Sequence, residues 1–251
     1  MSESTTGGQM KRPDERVLPK AVRLLWDLDS AGSRGPKRGM SLDQILDTAV
    51  AIADAEGYAA LSMARLAKAL GFTTMSLYRY VDSKDTLVEL LHDRIFYTEP
   101  DLPADDWRGG LEAWAWAEFR AIRAHDWWLD IPLTSPPMGP NNMTWLEAGM
   151  NAMSSLDVPE PLKLQLLLNL SIYVIGRVRF LRDITRNDKD DDYTEILVAV
   201  LDPQRFPSVT SALTHRAFDS DDMNWDEADF SFALARLLDG YQVFIDAHTG
   251  K

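Results

Sequence analysis

The chain has 251 residues, 45% of them apolar, and a formal net charge of −13, so it can bury a sizeable core in one large domain or two smaller ones. It contains no cysteine, which excludes disulfides and thiolate-based metal or redox chemistry. The longest apolar run, residues 164–176, is interrupted by Gln165 and Asn169 and is shorter than the roughly 20 residues that a membrane span needs, so we expect no membrane partner.

The N-terminal segment lacks the basic and apolar regions of a signal peptide, so we expect a cytoplasmic protein. Within it, the stretch SRGPKRG (residues 33–39) is locally basic and has no acid. Arg34, Lys37 and Arg38 on a Gly/Pro backbone could enter a DNA minor groove. A solvated tail is an equally good interpretation of the same residues.

Almost every periodic segment after this arm has helical spacing and none alternates strictly, which predicts an all-α fold. The first helix, residues 41–56, has a capping box formed by Ser41 and Gln44 and ends at Gly57. Ser62 is the predicted N-cap of the next helix. Further helices are predicted over residues 63–70, 74–80 and 84–98.

Residues 61–81 have the spacing of a helix-turn-helix. The small Ala67 allows two helices to approach closely, and Gly71, four residues later, tolerates the positive φ of the turn. A three-helix core would then bury Leu66, Leu70, Phe72, Leu77 and Val81. An αα-hairpin that does not bind DNA would show the same spacing.

The second helix of this pair is expected to leave one polar face in solvent. Thr73, Thr74, Ser76, Tyr78, Arg79 and Tyr80 lie on that face, and Lys84 follows at the start of the next helix. Hydroxyls and lysine can hold phosphate oxygens, and the tyrosines could also be partly buried aromatics. Arg79 could make a bidentate contact with guanine, which typically contributes ~1–3 kcal/mol of discrimination.

The remainder of the chain is predicted to be helical over residues 107–125, 141–157, 160–183, 193–201 and 226–248. Residues 127–139 and 203–225 are expected to be irregular. Residues 1–97 carry 13 cations and 13 carboxylates, whereas residues 98–251 carry 13 cations and 26 carboxylates. This asymmetry predicts a small portion that can approach a polyanion and a larger acidic portion that cannot.

The acidic portion holds seven of the eight tryptophans, and aromatic side chains line many ligand pockets. Polar residues on apolar helices are a second signal, since buried polar groups need partners. The candidate ligand-binding residues are Trp114, Glu118, Trp128, Trp145, Met150, Asn169, Tyr173 and Arg177. A core network with satisfied hydrogen bonds, or a solvated edge, explains the polar residues equally well.

The segment LSMARLAKALGFTTMSLYRYVDSKDTLVELL (residues 61–91) resembles the DNA-binding domain of the TetR family of bacterial one-component repressors. The resemblance implies that Tyr78, Tyr80 and Lys84 hold phosphates. It also implies that Thr74, Met75, Ser76 and Arg79 face the groove. Ala64 stands where the tetracycline repressor presents an arginine, so that repressor's operator preference does not transfer.

Two C-terminal segments, MGPNNMTWLEAGMNAM (138–153) and FSFALARLLDGYQVFI (230–245), resemble the tetracycline-repressor branch of the same family. The resemblance implies a homodimer that reads palindromic double-stranded DNA, with the helices predicted over 160–183 and 226–248 as its interface. The expected domains are an N-terminal extension with the basic arm (1–40), a three-helix DNA-binding domain (41–87) and a larger ligand-binding and dimerisation domain (88–251).

The function implied is a transcriptional repressor that a small-molecule effector releases from DNA, with no cofactor. The alternatives are a helical small-molecule-binding protein or an enzyme, or a protein-binding adaptor, whose helix-turn-helix does not bind DNA. Against an enzyme, the chain has no G-x-S-x-G, phosphate-binding glycine loop or H-E-x-x-H, and none of its four histidines has ligand spacing.

Overall fold

The computed structural model of the protein describes residues 18–28, 39–132, 136–186, 193–215 and 225–250. In these residues the regular elements are helices, as the all-α prediction requires. They are α1 (Lys20–Leu25), α2 (Leu42–Glu56), α3 (Met63–Leu70), α4 (Thr74–Tyr78), α5 (Lys84–Arg94), α6 (Trp107–Ala124), α7 (Pro140–Ala152), α8 (Glu160–Arg186), α9 (Tyr193–Val200), α10 (Pro207–Thr214) and α11 (Trp225–Thr249). Short 3-10 turns occur at Tyr58–Ala60 and Asp126–Asp130.

Contacts divide the chain into two compact units. Unit 1 comprises residues 1–100 and 124–148, and unit 2 comprises residues 101–123 and 149–251. The predicted boundary between residues 87 and 88 separates two functions, DNA binding and ligand binding, rather than two compact units, and it stays a prediction.

Unit 1 is built on α2, α3, α4 and α5. The hydroxyl of Ser41 accepts a hydrogen bond from the backbone N of Gln44, and the backbone N of Ser41 donates to Oε1 of Gln44, so the predicted capping box is confirmed. Ser62 caps α3 as predicted, through the backbone N of Arg65. The fully buried side chains of this bundle are Ile45, Ala49, Leu66, Leu77, Val81, Leu87, Leu90 and Leu91.

Phe72 and Leu70 were expected in that core, and the structure contradicts this for Phe72. The ring of Phe72 is 44% exposed, and Leu70 is half-buried. Phe72 directly follows the left-handed Gly71, and its backbone N bonds back to the carbonyl of Ala67. The chain therefore reverses before Phe72 can turn its side chain fully inward.

Two helices were missed. Residues 203–225 were expected to be irregular, but α10 begins at Pro207, because proline is well tolerated at the first helical position. The short α1 forms inside the predicted N-terminal extension. The predicted helices also end early: α5 at Arg94 and α7 at Ala152.

Unit 2 is built on α6, α8 and α11. Its interior contains side chains with essentially no exposure: Leu111, Ala115, Phe119, Ile122, Leu170, Val174, Phe230 and Leu238. The hydroxyl of Tyr241 on α11 donates to the carbonyl of Leu166 on α8 at 2.8 Å, which ties these two helices together. Burial raises the pKa of Tyr241 to about 12, so this donor stays protonated.

Candidate DNA-binding surface and effector-binding core

The turn that joins α3 and α4 has the geometry of a helix-turn-helix. Gly71 adopts φ 74° and ψ 23°, the left-handed conformation that a side chain would strain. Ala67 is buried where the two helices approach. Thr73 then caps α4 by accepting a hydrogen bond from the backbone N of Ser76 at 3.2 Å.

α4 has one buried face and one exposed face. Leu77 and Val81 are completely buried, and the backbone N of Val81 still bonds the carbonyl of Leu77 at 3.0 Å beyond the end of the helix. The opposite face carries the predicted DNA-binding residues. Thr73, Met75, Tyr78, Arg79, Tyr80 and Lys84 are exposed, and Thr74 and Ser76 are half-buried.

Arg79 differs from the other arginines of this bundle. Arg65 binds Glu56, and Arg94 binds Asp43 and Asp47, so carboxylates of α2 occupy both guanidinium groups. Arg79 is exposed and has no hydrogen bond or ion pair with any residue that the structure describes. Its five N–H donors can therefore engage an external partner.

Lys84 is held at the start of α5. Its Nζ lies 4.9 Å from the ring centroid of Tyr58, a cation–π distance. Burial, and the Asp85 carboxylate, raise the pKa of Tyr58, which keeps this ring neutral. Lys84 is nevertheless exposed, so its ammonium group remains accessible to an anion.

The basic arm with Arg34, Lys37 and Arg38 lies outside the described residues. Its last residue, Gly39, is described, and a Cβ built on it would lie 2.9 Å from the hydroxyl of Tyr80. Gly39 thus lies beside Tyr80, on the exposed face of α4, shortly before α2 begins at Leu42.

Two anchors fix α2 and α5 within unit 1. Arg94 donates to Asp47 through Nε and Nη2, at 3.0 and 2.5 Å, and to Asp43 at 3.1 Å. Asp54 on α2 accepts from Nε1 of the buried Trp127 at 2.5 Å and bonds Nδ1 of His125 at 2.8 Å. These bonds join the α2–α5 bundle to the segment that follows α6.

The buried Asp93 joins α5 to the first turn of α7. Its carboxylate accepts from the backbone N of Asn141 and Asn142, at 3.3 and 2.8 Å, and from Nδ2 of Asn142 at 2.7 Å. It therefore caps a helix from elsewhere in the sequence and complements the positive end of the helix dipole. Gly139 is required here, because a Cβ would lie 2.2 Å from Cγ of Asp93.

A small cavity of about 30 Å³ lies beside this cap, under α1, and is large enough for about one water molecule. His92 lines it, and Nδ1 of His92 is buried without a partner among the described residues. Nε2 must donate to the carbonyl of Pro132, at 3.2 Å, so Nδ1 of a neutral ring is an acceptor. Burial lowers the pKa of His92 and favours that neutral form.

Glu118 is the most strongly perturbed carboxylic acid among the described residues of unit 2. It is only 5% exposed, and its Oε1 accepts from the hydroxyl of Ser171 at 2.7 Å. Burial raises its pKa from 4.5 to about 8, although the Ser171 bond opposes this shift. At neutral pH Glu118 is therefore mostly an uncharged acid, and Oε2 has no partner among the described residues.

Aromatic rings surround the α6–α8 region of unit 2. Phe230 stacks on Phe119, with centroids 4.3 Å apart, and on Tyr173 at 5.6 Å, while Trp116 meets it edge-on at 4.6 Å. Tyr173 also donates its hydroxyl to the carbonyl of Phe230 at 3.0 Å. Four rings from α6, α8 and α11 thus form one cluster.

Comparison with known proteins identifies the architecture. Residues 45–91 match the family described as bacterial regulatory proteins, tetR family, and residues 99–245 match the tetracyclin repressor-like C-terminal domain. The chain belongs to the TetR family. It is therefore a helix-turn-helix transcriptional regulator, and the resemblance inferred from the sequence is confirmed.

Several similar proteins come from Streptomyces. The chain is 34% identical over 247 residues to the HTH-type transcriptional repressor DrrR1 of Streptomyces coeruleorubidus, covering 93% of this chain and 89% of that one. Apo ActR from Streptomyces coelicolor superposes with a TM-score of 0.68 and 28% identity, over 85% of this chain and 100% of that chain. ActR in complex with (S)-DNPA gives 0.67 and 26%, over 81% and 98%.

The predicted ligand-binding residues of this TetR-family regulator separate into two sets. Trp114, Glu118, Met150, Asn169, Tyr173 and Arg177 lie in unit 2, whereas Trp128 and Trp145 lie in unit 1. Arg177 pairs with Asp229, and its Nε is buried without a partner in the described part of the chain. Asn169 is exposed, and its amide bonds the carbonyl of Gln165 in its own helix.

The two tryptophans of unit 1 pack against Phe96, with ring centroids 5.8 Å (Trp128) and 5.1 Å (Trp145) from it. Trp145 donates Nε1 to the carbonyls of Phe96 and Thr98, each at 2.9 Å. Trp128 and Trp145 are therefore packed in the interior of unit 1. A direct role in ligand binding stays a prediction for the whole set.

Sequence reasoning missed Trp116, Phe119, Ser171 and Phe230 as neighbours of the candidate site. Ser171 carried a usable signal, since a hydroxyl two residues after Asn169 interrupts an otherwise apolar helix. The aromatic residues carried none, because core aromatics and pocket aromatics have the same helical spacing.

α8 exposes a row of apolar side chains: Leu168, Ile172, Phe180 and Ile184, with Gly176 at its centre. These residues are spaced by four, so they follow one ridge of the helix. Glu160–Ile184 has a mean hydropathy of 1.4 and is long and apolar enough to cross a membrane by length and composition alone, a test that the core helix of a protein outside a membrane also passes. The expectation of no membrane partner stays a prediction. α11 adds the exposed Phe232 and Val243.

Proposed function

We propose that this TetR-family regulator binds a palindromic operator as a homodimer in the cytoplasm, represses transcription, and is released by a small-molecule effector. The observation that carries the proposal is the exposed face of α4. Its apolar anchors, Leu77 and Val81, are buried, while Tyr78, Arg79 and Tyr80 are exposed. This arrangement suits a recognition helix in a major groove.

Each exposed residue receives a role in this proposal. Tyr78, Tyr80 and Lys84 hold phosphates, and Arg79 reads a base edge. Thr73, Thr74, Met75 and Ser76 line the groove, and the arm with Arg34, Lys37 and Arg38 follows the adjacent minor groove. The functional division at residues 87 and 88 is part of the same proposal.

DNA binding is tested with duplexes selected by the full-length protein from a random pool. The logarithm of the affinity should fall linearly with the logarithm of salt concentration, by about 0.9 for each phosphate neutralised. Arg79→Ala should relax base preference at one position of each half-site, and Lys84→Ala should weaken binding to all sequences equally. Arg205→Ala, an exposed arginine of unit 2, serves as the control. Unchanged DNA affinity in both test variants would refute this surface.

The homodimer is supported by the apolar ridge of α8. The spacing of four residues lets the ridge fit a groove of a second α8, and Gly176 leaves room for close approach, since nothing lies within 4 Å of a Cβ built there. Phe232 and Val243 on α11 extend the same kind of surface. A second copy would cover side chains that are otherwise costly to leave in water.

The effector site is proposed around Glu118 in unit 2. An uncharged buried carboxylic acid offers one O–H donor, and stacked rings favour a flat apolar partner. We therefore assign the effector to compounds that carry an aromatic ring system and a carbonyl or similar acceptor. That ActR is solved in complex with (S)-DNPA and with actinorhodin supports effector binding by this architecture.

The effector is tested by its ability to release the protein from its selected duplex. Aromatic compounds with and without a carbonyl acceptor are compared on the wild type and on Glu118→Leu, which lacks the donor. Glu118→Leu should keep operator affinity but lose the response, while Glu112→Leu, at an exposed position of the same helix, should respond normally. A response of Glu118→Leu equal to that of the wild type would refute this site.

A further inference from the structure

The DNA-facing surface of α4 carries an apolar feature that phosphate contacts do not explain. Met75 is 74% exposed, more than any other large apolar side chain in the described residues. It stands between the half-buried Thr74 and Ser76. Phe72, expected in the core but 44% exposed, adds a second apolar side chain three positions earlier.

A thioether chain gains nothing from phosphate oxygens or from the polar atoms of base edges. The C5-methyl group of thymine is the apolar group that a base presents in the major groove. Methionine is unbranched and polarizable, so it adapts to such a group without a fixed rotamer. We propose that Met75 determines specificity by packing on the methyl group of a thymine in each half-site.

This inference rests on the proposed DNA binding and adds a sequence preference to it. Arg79 follows Met75 by four residues, which is one helical turn and about 6 Å along the axis. Base pairs are spaced by about 3.4 Å. The thymine read by Met75 therefore lies within about two base pairs of the guanine read by Arg79.

The expected effect follows from burying one methyl group against the Met75 side chain. About 0.8 kcal/mol for such a group corresponds to about fourfold in Kd. Two half-sites read by a two-fold dimer give about 16-fold when both thymines lose their methyl groups.

The test compares thymine with deoxyuridine, which lacks only the methyl group and keeps all base-pairing atoms. Each thymine of the selected duplex is replaced singly and then symmetrically, and Kd is measured at one salt concentration for the full-length wild type, Met75→Ala and Met138→Ala. Met138 is an exposed methionine of unit 1 outside the helix-turn-helix, so it controls for the loss of a methionine. Adding a methyl group with 5-methylcytosine at other positions checks that methyl groups do not strengthen binding everywhere.

At one position per half-site, wild type and Met138→Ala should lose about fourfold with deoxyuridine, and Met75→Ala should show no loss. Equal deoxyuridine profiles for wild type and Met75→Ala would overturn the inference, as would selected half-sites without thymine near the Arg79 position. Those results leave the proposed function intact. Failure to select any duplex, or binding without salt dependence, would instead remove the proposed function and this inference together.

Discussion

Replacing Glu118 with glutamine tests whether unit 2 holds an uncharged carboxylic acid at neutral pH. Glutamine has nearly the same shape and keeps an oxygen that can accept the bond from Ser171, but it cannot ionise. Glu118 is only 5% exposed, so water does little to relieve the charge when the acid loses its proton. The variant therefore removes one titration and preserves the packing.

The sign of the pH dependence follows from the two pKa values. The pKa of Glu118 is about 8 in the folded state and 4.5 for the ordinary group, so between these values the folded state holds a proton that the unfolded state has released. The stability contributed by this group is fully present below about pH 4.5. It decreases by about 1.4 kcal/mol per pH unit up to about pH 8 and then levels off. At pH 7 the free energy of unfolding of the wild type is therefore roughly 3 kcal/mol lower than it would be if Glu118 had the same pKa in both states.

Urea unfolding at pH 5.5, 6.5, 7.5 and 8.5 measures the effect, at a fixed protein concentration because dimerisation contributes to stability. The free energy of unfolding of Glu118→Gln minus that of the wild type should rise by more than 1 kcal/mol per pH unit up to pH 7.5 and then flatten. Glu112→Gln, at an exposed position of α6, should follow the wild type. A difference for Glu118→Gln that does not vary with pH would refute the assignment of an uncharged acid.

Three further substitutions probe the anchors and the dimer surface. Gly139→Ala should destabilise unit 1 by about 1–3 kcal/mol in urea unfolding, because the new Cβ would lie 2.2 Å from Cγ of Asp93, and should have a smaller effect in an Asp93→Ala background. Asp54→Ala should lower the free energy of unfolding by about 1–3 kcal/mol, since it leaves the N–H of buried Trp127 unpaired, whereas Asp54→Asn should restore part of this loss. Ile172→Glu should shift the sedimentation of the protein toward the monomer, and Tyr97→Glu should not; an unchanged dimer would place the interface elsewhere.

The DNA-binding bundle could be predicted closely because its signals are local. Ser41 with Gln44, Ser62 and Gly71 each fix a helix end through hydrogen bonds or backbone conformation within a few residues. Phe72 was misplaced because hydrophobicity predicts burial only when the backbone turns the side chain inward. The left-handed conformation of Gly71 sets the direction of the chain at Phe72, and the hydrophobicity of the sequence does not reveal that direction.

The interior of unit 2 was less predictable. Glu118 and Tyr173 were found from their polar character on apolar helices, but their partners come from distant positions in the sequence, such as the carbonyl of Phe230. The candidate set grouped Trp128 and Trp145 with residues of unit 2, whereas both pack with Phe96 in unit 1. Residue type alone does not tell which chain segments meet.

Lys84, at the start of α5, is a candidate phosphate-binding residue, and Asp93, near the end of the same helix, caps α7. The 11 residues of α5 from Lys84 to Arg94 span about 16 Å, and Asp93 grips the first turn of α7 near the far end. If α5 tilted by about 10° about Asp93, Lys84 would move by about 2–3 Å, which is comparable to the length of a hydrogen bond. A slight shift at the start of α7 would therefore be sufficient to move Lys84 out of reach of a phosphate bound as proposed.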